Sequence, residues 1–89
     1  MITTDIPNLE DEKLLRVYPN PVTDLLKINV EDKSTIQLLR YDGGIVYESS
    51  DVFSELLDIN SLNISDGLYL VHIFNEKYTL VKKVLVQKH

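Results

Sequence analysis

The run Ser65-Asp66-Gly67-Leu68-Tyr69-Leu70-Val71-His72-Ile73-Phe74 constrains the fold of this chain more than any other stretch. Asp66-Gly67 is a turn signal, and behind it Tyr69, Val71 and Ile73 fall at alternate positions, so one face of a strand carries three large side chains. In β-sandwiches a tyrosine can stand at such a corner, two residues ahead of a buried position, with its ring packed inside. Its hydroxyl bonds back to the backbone just upstream. Tyr69 and Val71 fit those two places. The stretch therefore predicts a core strand whose entry loop is either tied down by Tyr69 or an ordinary Asp-Gly turn.

Other strands follow from alternation and punctuation. Residues 14–18 form a short strand candidate that runs into Pro19-Asn20-Pro21, where two fixed φ angles and two missing N–H groups end ladder pairing. Leu26, Ile28 and Val30 then alternate with Lys27, Asn29 and Glu31, a half-buried strand, and Asp32-Lys33 supplies a turn. Residues 35–41 make the next strand, and Asp42-Gly43-Gly44 is a tight hairpin signal ahead of residues 45–48. Residues 49–54 are polar and loop-like. Residues 55–59 fit either one helical turn or a strand with Leu57 and Ile59 inward; the strand is preferred because Leu62 leads into the Asp66-Gly67 corner. Past Phe74, Asn75-Glu76-Lys77 makes a turn, and residues 78–86 form a last strand. Its apolar residues change face near Lys82-Lys83, which predicts a bulge, a bend or burial on both sides. About seven short strands with no helix of three turns predict an all-β fold, an immunoglobulin-like antiparallel β-sandwich. No internal repeat supports a propeller or solenoid.

Eighty-nine residues make one domain, and at that size roughly 60–65% of the extended surface is buried on folding, a thin but sufficient core. A large enzyme cleft is hard to house in it. With no cysteine there is neither a disulfide framework nor a thiolate metal site, and the compartment stays open. A formal net charge of −5 argues against nucleic acid as a partner. No stretch approaches the roughly 20 apolar residues of a membrane span, and the N-terminus lacks the basic-then-apolar order of a secretory signal. The chain is then either cytoplasmic or the excised end of a longer exported precursor. Residues 1–13, with Asp5, Pro7 and Glu10-Asp11-Glu12, read as a flexible linker. The acidic run lacks the alternating Asp/Asn spacing and the glycine of a calcium loop.

Little in the sequence suits catalysis, which needs a nucleophile, an acid/base pair or a metal held in a pocket. His72 sits on the strand face opposite Tyr69, and His89 is the last residue. A zinc site would have to rest on carboxylates. Asp58 and Asp66 could approach across a loop, but Asp66 already serves the turn. Tyr18, Tyr41, Tyr47, Tyr69 and Tyr78 suit strands, and they also suit the aromatic platform of a sugar-binding sandwich. No catalytic, cofactor-binding or metal-ligating residue is predicted, and the chain is not expected to be an enzyme.

Three pieces stand in a characteristic order. Val17-Tyr18-Pro19-Asn20-Pro21 is followed by Leu25-Leu26-Lys27-Ile28. Asp42-Gly43-Gly44-Ile45-Val46-Tyr47 comes next, and then Asp66-Gly67-Leu68-Tyr69-Leu70-Val71 with a terminal Lys82-Lys83-Val84-Leu85-Val86. In this order they closely resemble the C-terminal sorting domain, type A, of the type IX (Por) secretion system of Bacteroidetes bacteria. The likeness covers residues 14–89. The Gly43-Gly44 pair departs from the family's usual single glycine, which leaves the hairpin register open.

The resemblance implies a folded sorting signal without enzymatic activity. It directs an N-terminally attached cargo from the periplasm through the outer-membrane translocon, with an outer-membrane shuttle as a further partner. A sortase-like cysteine peptidase then usually removes the domain by cutting in the 1–13 linker, and the cargo stays at the cell surface or is released. The implied recognition residues are Pro19, Asn20 and Pro21, then Asp66, Gly67 and Tyr69, and finally Lys82, Lys83, Val84, Val86 and Lys88. Fold readings stand beside these: the prolines end a strand, and Gly67 and Tyr69 shape the corner. The last strand offers a backbone edge, with lysines that steer toward an acidic surface. The alternative is an accessory adhesion or carbohydrate-binding module of a secreted protein. A row of exposed tyrosines on one sheet face would point to that module; a flat polar surface and an exposed terminal strand would point to the signal. No cofactor and no membrane span are implied.

Overall fold

One parity runs unbroken from Leu26 to Leu38. Leu26, Ile28, Val30, Ser34, Ile36 and Leu38 are all buried, so the two strands expected on either side of Asp32-Lys33 are halves of one. The computed structural model describes residues 14–88; the predicted linker at 1–13 and His89 lie outside them. Five strands carry the fold: β1 (Leu15–Tyr18), β2 (Leu25–Arg40), β3 (Ile45–Asp58), β4 (Gly67–Phe74) and β5 (Thr79–Val86). The expected seven stretches are present, but two pairs of them are fused.

Asp32-Lys33 bends β2 without ending it because its polar groups are satisfied in place. The Asp32 carboxylate accepts from the Tyr78 hydroxyl at 2.7 Å and from Lys77 Nζ at 3.3 Å. Ser34 Oγ donates to the Asp32 carbonyl at 2.6 Å and accepts from Asn75 Nδ2 at 2.9 Å. In β3 the polar residues 49–54, expected to be a loop, lie inside the strand. Asp51 takes φ 57° there and the register against β2 shifts on both sides of it. Tyr47 spans this bend by donating its hydroxyl to Glu55.

The two bends turn one ladder into two layers. β1, residues 25–30 of β2 and residues 54–58 of β3 pair antiparallel in the first layer. Residues 45–52 of β3, residues 34–40 of β2, β4 and β5 pair antiparallel in the second. Leu15, Leu26, Ile28 and Leu57 meet Ile36, Leu38, Val71, Ile73, Val84 and Val86 in one core, the arrangement of an immunoglobulin-like sandwich.

The corner is formed as predicted. Tyr69 is buried, and its hydroxyl donates to the Ser65 carbonyl at 2.7 Å. Gly67 enters it at φ +146°, a conformation that side-chain-bearing residues rarely adopt. The Asp42-Gly43-Gly44 hairpin also forms, with Gly43 at φ +103° and Arg40 N–H donating to the Gly44 carbonyl at 2.7 Å. Its register against β2 slips between Leu38 and Leu39.

Two further expectations change. β3 ends at Asp58, and Ile59–Leu62 form a 3-10 turn capped by the Asp58 carboxylate; Leu57 and Ile59 nevertheless both point inward, as expected. β5 has no bulge at Lys82-Lys83, because it keeps one register with β4 from Thr79↔Phe74 to Val86↔Gly67. Val84 and Val86 face the core, while Val81 stands 54% exposed on the outer side.

Candidate functional site

Between Tyr18 and Val22 the two prolines contribute no N–H, so Asn20 and Val22 are left to make the donor contacts. Both use them on the outer edge of β5. The Asn20 carboxamide donates to the Lys83 carbonyl at 3.2 Å and accepts from the Leu85 N–H at 3.0 Å. A side chain thus takes the place that a neighbouring strand's peptide group would occupy. Val22 continues the line: its N–H donates to the Leu85 carbonyl at 2.9 Å, and its carbonyl accepts from the Gln87 N–H at 2.9 Å. The result is a short parallel bridge between Val22 and Val86. Val22 is fully buried, which anchors the segment in the core. Both bonds before proline, Tyr18–Pro19 and Asn20–Pro21, are cis.

The corner fastens the same strand from another direction. Asp66 accepts from the Lys88 N–H at 3.0 Å, and Gly67 and Tyr69 pair with Val86 and Val84. The Pro-Asn-Pro segment, the Asp-Gly-x-Tyr corner and the lysine-rich strand, far apart in sequence, thus meet on β5.

Their side chains fall into two groups. Pro19, Asn20, Pro21, Asp66 and Lys83 are exposed, with Gly67, Lys82 and Lys88 half-buried. Tyr69, Val84 and Val86 are buried and in the folded domain hold the strand in place. Lys82 stands beside Val71 on the core-facing side, and Lys83 beside Leu70 on the outer side. The edge of β5 is covered from Lys83 to Gln87; among the described residues no further strand borders the backbone before Lys83.

Among the described residues weighed for chemistry, no acid/base pair forms. His72 lies half-buried on the outer face with Nδ1 2.8 Å from Gln37 Oε1. Asp58 caps the 3-10 turn while Asp66 holds Lys88. Among the described residues no group of three His, Cys, Asp or Glu is placed to hold a metal. The perturbed groups belong to the bends. Hydrogen bonds from Tyr78, then Lys77, hold the Asp32 carboxyl below its ordinary range. Burial and the Asp32 carboxylate push the Tyr78 phenol up, and Glu55 does the same to Tyr47. Nor do the tyrosines form a row: Tyr69 is in the core, Tyr47 and Tyr78 are bonded at the bends, and Tyr18 and Tyr41 are exposed on β1 and beside the hairpin turn. The outer surface of the second layer is not polar either.

Sequence reasoning placed the Pro-Asn-Pro turn but missed the use of Asn20 as a ladder partner. The available signal was an amide side chain between two residues that cannot donate, with Val22 close behind as an apolar anchor. The Asp66–Lys88 tie left no local signal.

Fold and site together define an immunoglobulin-like β-sandwich module whose last strand is locked by two other parts of the chain. The family model for the secretion system C-terminal sorting domain matches residues 16–87, and the chain belongs to that family. It is a type IX secretion sorting signal, associated with that system and with export toward the cell surface or beyond. Among solved structures the chain is similar to PorZ of Porphyromonas gingivalis, described as an essential bacterial surface component of the type IX secretion system. The TM-score is 0.70, with 18% identity over 82% of this chain. The chain spans 11% of the PorZ chain, and the likeness is one of fold. No curated protein matches. Among the described residues no helix is long and apolar enough to cross a membrane.

Proposed function

We propose that the folded domain is read as a unit by the type IX translocon, and that the surface read is the end of the sandwich where Asn20, Asp66 and β5 meet. The observation that carries this reading is the fastening of β5 by Asn20, Val22 and Asp66. Buried Tyr69, Val84 and Val86 present the site, while exposed Pro19, Asn20, Pro21, Asp66 and Lys83 are the side chains a partner meets. Ordering this surface in advance lowers the entropic cost of recognition. The domain acts by binding and has no enzymatic role. Its attached cargo passes the periplasm, crosses the outer membrane with the help of a shuttle, and is freed by a sortase-like peptidase cutting within residues 1–13. Its destination is the cell surface or the medium.

Fusion of the chain behind a periplasmic reporter, in a bacterium with type IX machinery and in a translocon-deficient strain, tests the reading. Removing residues 82–89 is uninformative, because it takes Val84 and Val86 out of the core. Deleting residues 87–89 spares the core and removes the Gln87 and Lys88 ties. Translocon-dependent surface or medium reporter with the intact chain, reduced by this deletion and by Asn20→Ala in domains that remain folded by circular dichroism, is expected. A folded, well-expressed intact fusion that stays periplasmic overturns the proposal.

A further inference from the structure

An open cleft of about 570 Å³ lies where Asp32-Lys33 bends β2, within the size range of small-ligand sites. Phe74 gives it an aromatic surface. This half-buried residue ends β4, has Thr35 beside it on β2, and is braced by the His72 ring at 5.0 Å between centroids. The polar lining divides in two. Asp32, Ser34 and Asn75 are bonded to one another and to Lys77 and Tyr78, so they fix the shape of the cleft. Thr35, Asp51 and Glu76 have no hydrogen-bond or ion-pair partner among the described residues. They come from three places, β2, β3 and the turn after β4, and the bend brings them to one cleft.

We infer that this cleft binds a neutral sugar ring of a glycan chain. The mixture of groups selects that chemistry. A sugar carries a C–H face, which packs on the negative face of an aromatic ring, and hydroxyls, which both donate and accept. Phe74 suits the first. Asp51 and Glu76 accept from hydroxyls, Thr35 does either, and Lys77 donates, since the bond to Asp32 uses only one of its three N–H groups. Ions of either sign fit worse. Asp51 and Glu76 repel an anion, while Lys33 and Lys77, which also line the cleft, repel a cation. A wholly apolar ligand would strip water from Thr35, Asp51 and Glu76 and give nothing back. The inference does not depend on the sorting role.

Amide chemical shifts of the isotope-labelled 89-residue chain test this, with neutral trisaccharides of gluco, galacto, manno and N-acetylglucosamine type each added to ~20 mM. An open site holding about one ring should bind in the millimolar range. At least one sugar is expected to give saturable shifts centred on Thr35, Asp51, Phe74 and Glu76. Phe74→Ala weakens binding about tenfold, and Asp51→Asn and Glu76→Gln, which replace charged acceptors by neutral ones of the same shape, each weaken it about threefold to fivefold. Asparagine accepts the φ of 57° at Asp51, and both acidic sites are exposed, so these two variants decide the matter if Phe74→Ala fails to fold. Spermidine and glucuronic acid, as charged controls, should give no saturable shift at these residues. The absence of saturable shifts with all four sugars overturns the inference, as do shifts centred elsewhere, affinity unchanged in both acidic variants, or tighter binding of either charged control.

Discussion

The two edges of the larger layer are guarded in different ways. At β5 the chain's own Asn20 and Val22 fill the positions a foreign strand would take. At β3 no strand is paired on the outer side among the described residues, and protection comes from the Asp51 kink and from the acidic residues Glu48 and Asp51. Bulges and charges make an open edge a poor template. A plug also couples distant parts of the chain, so damage at β5 should spread, whereas damage at β3 should stay local.

The largest expected contrast sets a core residue of β5 against an exposed one of β3. Val84→Asp places a carboxylate without a partner at a wholly buried site, a cost of several kcal/mol against a total of about 5–15 kcal/mol. Calorimetry should find no cooperative transition. Leu56→Asp, at a side chain 60% exposed, should shift stability by less than about 0.5 kcal/mol.

Asn20→Ala comes next, since it removes two hydrogen bonds and leaves Lys83 and Leu85 backbone groups unfilled. A loss of about 1–3 kcal/mol in urea denaturation is expected, with faster amide exchange at Leu85. Unchanged exchange there would break the comparison by showing that the plug does not hold the edge. On β3, Asp51→Val forces a β-branched residue into φ 57° and should cost about 1–2 kcal/mol, without altering exchange at Leu85. Tyr69→Phe deletes only the bond to Ser65 and should cost about 0.5–1.5 kcal/mol.

The smallest effect is one of pH. A carboxyl held below its ordinary range in the folded state contributes stability that is present above about pH 4 and is lost as the pH falls through the folded value. Asp32 is such a group, held first by Tyr78 and then by Lys77. Urea midpoints between pH 6 and pH 2 should therefore drop further on acidification in the parent than in Tyr78→Phe.

What local reading could see was set by neighbours in sequence. The Tyr69 corner, the Gly43 hairpin and the inward parity of Leu26, Ile28 and Val30 depend on residues a few positions apart, and all were legible. The fusion of strands was not, because Asp32 and Ser34 are satisfied by Asn75, Lys77 and Tyr78 from the far hairpin. Without those partners Asp32-Lys33 does look like a turn. The absence of a bulge in β5 was hidden for a related reason: Val81 is apolar because the outer face is apolar, a property of four strands together. At the candidate site, the motifs were visible singly, but their convergence rests on Asn20 meeting Lys83 and Leu85 and on Asp66 meeting Lys88.

Synthesis proceeds from the N-terminal side, so β5 reaches the domain after the elements it locks. Asn20 and Val22 wait for Lys83, Leu85 and Gln87, and Asp66 waits for Lys88. Until then the centre lacks Val84 and Val86. If the domain is read folded, as proposed, foldedness serves as a proofreading mark: a chain broken off before β5 has no closed sandwich to display.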